Sequence, residues 1–199
     1  MSEVFYNTPM QIDLRKQRVL HAIRYFARNT EYCGKIKLFK LLYLLDFQHV
    51  AETGKPVTGL DYEAWKFGPV PVQVMEMWED LENGTVEGCY VCPERVHDFV
   101  RQTIKVAPDA SFDENLFSRR ELRIMREMAE RYRQTASPEM IDVTHQENGA
   151  WDKVWQNGKG AFKPIPYALA IPEESPAASI LLEIQQDYQS RQKALQNIS

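Results

Sequence analysis

Four groupings of side chains in this 199-residue chain have types and spacings that could do chemistry. Cys89-x-x-Cys92, followed by His97, has the outline of half a zinc site, because soft thiolates at that spacing can grip one tetrahedral ion. A structural zinc needs four ligands, and the chain has no second Cys-x-x-Cys and no paired histidines; Cys33 is the one distant thiol left. Ordinary half-buried thiols and no metal are expected. His145, Asp142 and Glu147 cluster near one helix end and could move protons. No G-x-S-x-G or H-E-x-x-H accompanies them, and a histidine hydrogen-bonded across a helix junction explains them without catalysis. Asn157-Gly-Lys-Gly-Ala161 resembles a phosphate loop but lacks the upstream glycine and the Ser/Thr of that motif, so it reads as a turn. Lys35, Lys37 and Lys40 could meet DNA phosphates from a helix-turn-helix. Leu41, Leu42, Tyr43, Leu44 and Leu45 bury that helix, whereas a recognition helix needs polar side chains for base edges. The sequence specifies no catalyst and implies no cofactor.

The elements that position these residues are mainly helical. Ile12, Val19, Ile23 and Phe26 recur at helical spacing from Gln11 to Asn29, with Arg15, Arg18, Arg24 and Arg28 on a basic outer face. After Gly34, a second helix starts near Lys35, buries Leu38, Leu41, Leu42, Leu45 and His49, and stops at Gly54. Residues 57–67, VTGLDYEAWKF, read as a short strand. Val74, Met75, Trp78 and Leu81 mark a third helix after Pro71, closed by Asn83-Gly84. The stretch 86–110 reads as extended, as strand or loop. Ser118 with Glu121 predicts a capping box, and Ser137-Pro138 a second start, with Ser137 as cap and a helix to about Glu147. Trp151 and Trp155 sit one turn apart on a short helix; PIPYALAIP is irregular; a terminal helix runs from Glu173 to about Leu195. The fold class is α+β, mainly α: a compact helical domain with a small hairpin or sheet and a C-terminal helix.

Composition excludes several classes of protein. Apolar residues make up 44% and charged residues 26%, enough to bury a core. The richest apolar run, Leu38 to Phe47, is broken by Lys40 and Asp46 and is too short for a membrane span. The start MSEVFYNTPM lacks the basic and apolar regions of a secretory signal, and three cysteines give no disulfide framework, so a cytoplasmic location is expected. Net charge is −4 but unevenly spread: residues 1–40 carry +5 and residues 41–116 carry −9. An acidic chain is a poor general binder of nucleic acid, and the basic start can pair with the acidic middle of the same fold.

Residues 35–81 resemble the signature of the Panacea domain, the family of SocA-like antitoxins and related phage-associated GepA-like proteins. Lys37-Leu38, Lys40-Leu41-Leu42-Tyr43-Leu44 and Asp46 match its first part. Thr53-Gly54, Pro56 and Gly59 match the turn that follows, and Tyr62, Ala64, Trp65 and Gly68-Pro69-Val70-Pro71 the block after that. Ser137-Pro138, Thr144-His145 and Trp151 resemble the family's later half, so the resemblance covers about residues 10–170. Residues 1–172 are therefore expected to form the Panacea-like domain and 173–199 a helical tail outside the pattern.

The resemblance implies an antitoxin of a type II toxin–antitoxin pair, without enzymatic activity, that neutralises a cognate toxin by direct binding. It would act in a chaperone-like way or as an adaptor to an ATP-dependent protease. Homo-oligomers are compatible with this, and a DNA-binding regulator of a phage or mobile-element operon is the alternative. The expected contact residues are Trp65, Lys66, Phe67, Gly68, Pro69 and Val70, with His145 and Trp151 as a second patch. An aromatic held on a stiff Gly-Pro turn makes a good anchor, because large area is buried at small entropic cost. At least one of Tyr62 and Trp65 is expected to close the core instead.

Overall fold

A computed structural model describes residues 9–96, 99–145 and 149–196, with side chains described for 14–95, 100–145 and 149–194. His97, Glu147 and the side chain of Ile12 lie outside the described residues.

The described residues form eight α-helices and two antiparallel hairpins. Helix α1 is Pro9–Asn29 and α2 Lys35–Thr53; strands β1 (Tyr62–Trp65) and β2 (Gly68–Pro71) make the first hairpin. Two single-turn helices follow, α3 (Val72–Glu76) and α4 (Trp78–Glu82), then β3 (Cys89–Val96) and β4 (Phe99–Val106). Helices α5 (Arg119–Arg131), α6 (Ser137–Thr144), α7 (Ala150–Trp155) and α8 (Ala178–Gln196) complete the order.

Helix α2 is the hub. It is apolar nearly all round and is packed by α1, α5, α6, α8, β2 and β4. Leu38, Leu41, Leu42 and Leu45 are fully buried, and so are three polar residues of the same helix, Lys37, Lys40 and Asp46. Helix α8 docks on the C-terminal turn of α2 through Leu181. Gly54 ends α2 in a left-handed conformation (φ 74°), and a side chain there would lie 2.7 Å from the Leu181 carbonyl.

The arginines of α1 form an outer basic face only in part: Arg28 is exposed and Arg15 and Arg18 half-buried, but Arg24 is not on the surface. Arg24 is buried and donates to the Glu87 carbonyl at 2.7 Å; Arg28 donates to the carbonyls of Ala107 and Ala110. Arg18 donates to the Val57 and Leu116 carbonyls and pairs with Glu121 at 2.6 Å. Loop carbonyls thus engage Arg18 and Arg24, two of the four arginines that the sequence assigned to solvent, while Arg28 meets its carbonyls at the surface.

The third helix is two, broken at Met77, whose ψ of 6° leaves the helical range. Stretch 86–110 resolves as the β3–β4 hairpin in register from Cys89–Val106 to Val96–Phe99. It is tied to the α1–α2 connection by the Ile104 N–H on the Cys33 carbonyl at 2.9 Å. Helix α6 is capped one residue earlier than expected: Ala136 is the N-cap, and its N–H donates to the Glu139 carboxylate at 3.3 Å.

The capping box of α5 forms as the sequence predicts. Ser118 Oγ accepts the Glu121 N–H at 3.3 Å, and Glu121 Oε2 accepts the Ser118 N–H at 2.6 Å. Because Glu121 also pairs with Arg18, the cap fastens α5 to α1. Ser118→Ala is expected to cost about 1 kcal/mol in urea unfolding, with an unchanged m-value.

Candidate functional site

Lys40, Tyr43 and Asp46 follow one another at three-residue spacing on α2 and share the face turned to the β1–β2 hairpin. Tyr43 packs edge-on against Tyr62 of β1 with ring centroids 5.6 Å apart. Its two polar neighbours grip the hairpin from either end.

Asp46 is fully buried. Its Oδ1 accepts the Thr58 N–H at 2.6 Å; its Oδ2 accepts the Thr58 hydroxyl and the Tyr62 hydroxyl at 2.9 Å. The Tyr167 hydroxyl shares its single hydrogen between Asp46 Oδ2 at 3.1 Å and the Leu60 carbonyl at 2.6 Å. One carboxylate therefore gathers the turn after α2, strand β1 and the segment before α8. Burial pushes its pKa above the usual carboxylate range, against the hydrogen bonds from Thr58, Tyr62 and Tyr167.

Lys40 is only 2% exposed, and its Nζ donates to the Pro69 carbonyl at 2.9 Å. Gly68 lies flat on this ammonium: it adopts φ 97°, and an added Cβ would sit 2.6 Å from Nζ and 2.9 Å from Thr144 Oγ1. The Gly-Pro pair thus lets the strand pass close over a buried lysine. Burial alone pushes the Lys40 pKa down to about 7. Beside it, the His145 ring stacks on Trp151 at 3.8 Å with the planes 3° apart, and its Nε2 is buried with no hydrogen-bond partner among the described residues. Burial, then the nearby Lys40 charge, lowers the His145 pKa. Trp151 Nε1 donates to the Trp65 carbonyl at 3.1 Å, bringing α7 to the end of β1.

This anchorage presents an exposed tip. Lys66 and Phe67 form the two-residue turn between Trp65 and Gly68, which face each other across the strands. A third backbone segment runs along β1: the Phe162 N–H donates to the Ala64 carbonyl at 2.8 Å, Ala64 N–H to Lys163 at 2.9 Å, and Ile165 N–H to Tyr62 at 2.7 Å. Phe162 meets Trp65 edge-on, centroids 5.2 Å apart. Phe67 is 58% exposed and Phe162 63%. Phe162 also holds a left-handed φ of 63°, costly for a bulky side chain and sustained here by that ladder.

The expected contact residues therefore separate by position. Lys66 and Phe67 are exposed, and Trp65 and His145 half-buried; Gly68, Pro69, Val70 and Trp151 are buried beneath them. Phe162 escaped sequence reading. Its one local signal is an aromatic between Gly160 and Pro164, where a turn carries no apolar period.

The chemical groupings read differently in three dimensions. Cys89 and Cys92 are three positions apart on β3 and so face opposite sides of the hairpin, Cys89 buried and Cys92 half-buried, which denies one ion both sulfurs. Among the described residues no cluster of three or more Cys, His, Asp or Glu is placed to hold a metal. Lys37 is buried, donating to the Glu31 and Arg133 carbonyls at 2.7 and 3.0 Å, and Lys35 lies over the Trp78 ring. Two of the three lysines proposed for DNA phosphates are thus inside the protein. Gln156 and Asn157 take left-handed turns after α7, so the glycine-lysine loop closes a helix.

A family model described as the SocA-like antitoxin Panacea domain matches residues 38–152, more than half of the chain, and the chain belongs to that family. No curated protein and no solved structure matches. The matched span holds Lys40, Asp46, the hairpin, His145 and Trp151, and stops short of Phe162 and Tyr167.

Proposed function

We propose that this member of the Panacea family is the antitoxin of a type II pair and neutralises a protein toxin by direct contact at the tip formed by Trp65, Lys66, Phe67 and Phe162. The observation that carries this reading is the pairing of two mostly exposed phenylalanines with a deeply anchored frame. Exposed aromatics on mobile loops lose much of their contact energy to ordering; these are already fixed. Gly68, Pro69, Val70, His145 and Trp151 act from beneath by holding the turn. Among the described residues no helix is long and apolar enough to cross a membrane, and the free thiols suit a reducing cytoplasm.

Co-expression with the product of the adjacent reading frame tests this. The wild-type chain is expected to restore growth and co-purify with that product. The Phe67→Ala/Phe162→Ala double variant should bind at least tenfold more weakly while melting within about 2 °C of wild type, since both rings are mostly in solvent. Delivery to an ATP-dependent protease would show as a shortened toxin half-life, and chaperone-like holding as a stable complex. Failure of the wild-type chain to rescue growth or to bind overturns the reading.

A further inference from the structure

Resting on the antitoxin reading, we infer that the tip receives a short partner segment in which a large apolar side chain is flanked by Asp or Glu. The argument is one of charge around a fixed aromatic surface. Lys66 sits in the turn itself, its Nζ 5.5 Å from the centre of the Phe67 ring. Lys163 follows Phe162 and is held by the bond between its carbonyl and the Ala64 N–H; Lys159 lies on the turn that leads into Phe162. All three are exposed, and none forms an ion pair among the described residues. From Lys153 to Pro172 the chain holds no carboxylate at all. The acid nearest the aromatics in sequence, Glu63, accepts the Trp65 Nε1–H at 3.0 Å and keeps its charge, so three lysines stand against this one carboxylate.

The surface is therefore an apolar centre with unpaired cations at its border, inside a chain that is acidic overall. An apolar side chain docking on Phe67 and on the edge-to-face Trp65–Phe162 pair is covered by aromatic faces and lysine stems. The ammonium groups then reach outward to carboxylates on either side of it. The exposed acidic run on α3 and α4 (Glu76, Glu79, Asp80, Glu82) rejects the same segment, which fixes where it docks. A stacked nucleic acid fits less well. Three free lysines beside an acidic body give little of the extended positive groove that a phosphate backbone follows.

The full-length chain is panned against a displayed library of random peptides of about 12 residues, with the Phe67→Ala/Phe162→Ala chain as counter-selection. Enriched peptides are expected to combine an aromatic or large aliphatic residue with net negative charge. The best of them should bind about tenfold more weakly to Lys159→Glu/Lys163→Glu, and more weakly again as salt rises from about 50 to about 300 mM. A peptide with its acids changed to lysine should recover binding to the double-Glu chain. Enrichment of neutral or basic peptides, no enrichment, or displacement of the peptide by a thymidine oligonucleotide overturns the inference. The two readings fail separately. Growth rescue that survives Lys159→Glu/Lys163→Glu but not Phe67→Ala/Phe162→Ala removes the acidic segment and leaves the antitoxin standing. Loss of rescue by the wild-type chain removes the antitoxin whatever peptides are selected.

Discussion

The Asp46→Ala chain is expected to lose about 4 kcal/mol of unfolding free energy and to melt roughly 8–16 °C below wild type. The size follows from what the carboxylate gathers: the Thr58 N–H, the Thr58 hydroxyl and the hydroxyls of Tyr62 and Tyr167, all inside the protein. Alanine removes the common acceptor and leaves those donors stranded, and each stranded group carries a desolvation cost of about 1–3 kcal/mol. They do not add fully, because Tyr167 keeps the Leu60 carbonyl. Asp46→Asn should cost about half as much, since its oxygen can still take the Thr58 N–H while its amide donates to reoriented hydroxyls. A pH signature accompanies it. Burial holds the Asp46 pKa above its unfolded value, so the proton-linked part of its contribution is fully present below about pH 3.8 and is lost as pH rises through the raised value, apart from the bonds its oxygens accept. Asp46→Asn lacks that slope. An Asp46→Ala protein melting within about 2 °C of wild type would show that the network does not hold the hairpin.

The residues of this network show why parts of the fold are legible in the sequence and others are not. The leucine stripe of α2 and the α5 capping box are local patterns that appear where their spacing predicts. The strand expected over residues 57–67 shrinks to Tyr62–Trp65, because Thr58 is drawn into bonds with the Asp46 side chain and Lys66-Phe67 form the turn. Lys37 and Lys40 mislead because charge suggests solvent; yet each has apolar neighbours one turn away on either side, and a helix apolar nearly all round leaves its charges nowhere to emerge. Arg18 and Arg24 of α1 mislead in the same way, since their acceptors are loop carbonyls that no pattern announces. Phe162 and Tyr167 lie about a hundred residues beyond the elements they join, and that closure is set by backbone pairing with β1 and by the Asp46 carboxylate. Local periodicity holds no record of it. The Gly-Pro block is legible as a rigid element, but the turn at Lys66-Phe67 and the Phe162 half of the tip are not.

Lys40→Met is expected to make the protein more stable at pH 7 and less able to bind its partner. Burial holds the lysine pKa at about 7, roughly 3.5 units below its ordinary 10.5, with desolvation as the cause. A depressed lysine pKa means that the unfolded chain holds more protons than the folded one between those values, so stability rises with pH across that window. At pH 7 the remaining penalty is about 4 kcal/mol, and about 2 kcal/mol of it is relieved by pH 9. Other groups bound the useful range. His21 and His145, both lowered, act below about pH 6.5, while Cys33, raised to about 11, and Cys89 begin to oppose the trend above about pH 9. Lys37, also lowered by burial, adds a slope of the same sign that the variant retains. Methionine fills the stem's volume without the charge and forfeits one hydrogen bond to Pro69, a loss of about 1–3 kcal/mol. The net gain at pH 7 is therefore positive and shrinks by about 2 kcal/mol by pH 9, which melting curves of both proteins at matched pH measure directly. Binding moves the other way, because the Pro69 link is what draws the Phe67 turn down onto α2. A variant that gains stability and loses partner affinity would mark Lys40 as a positioning residue, kept at a thermodynamic cost for the surface above it. Unchanged affinity, or no difference in pH slope from wild type, would refute that role.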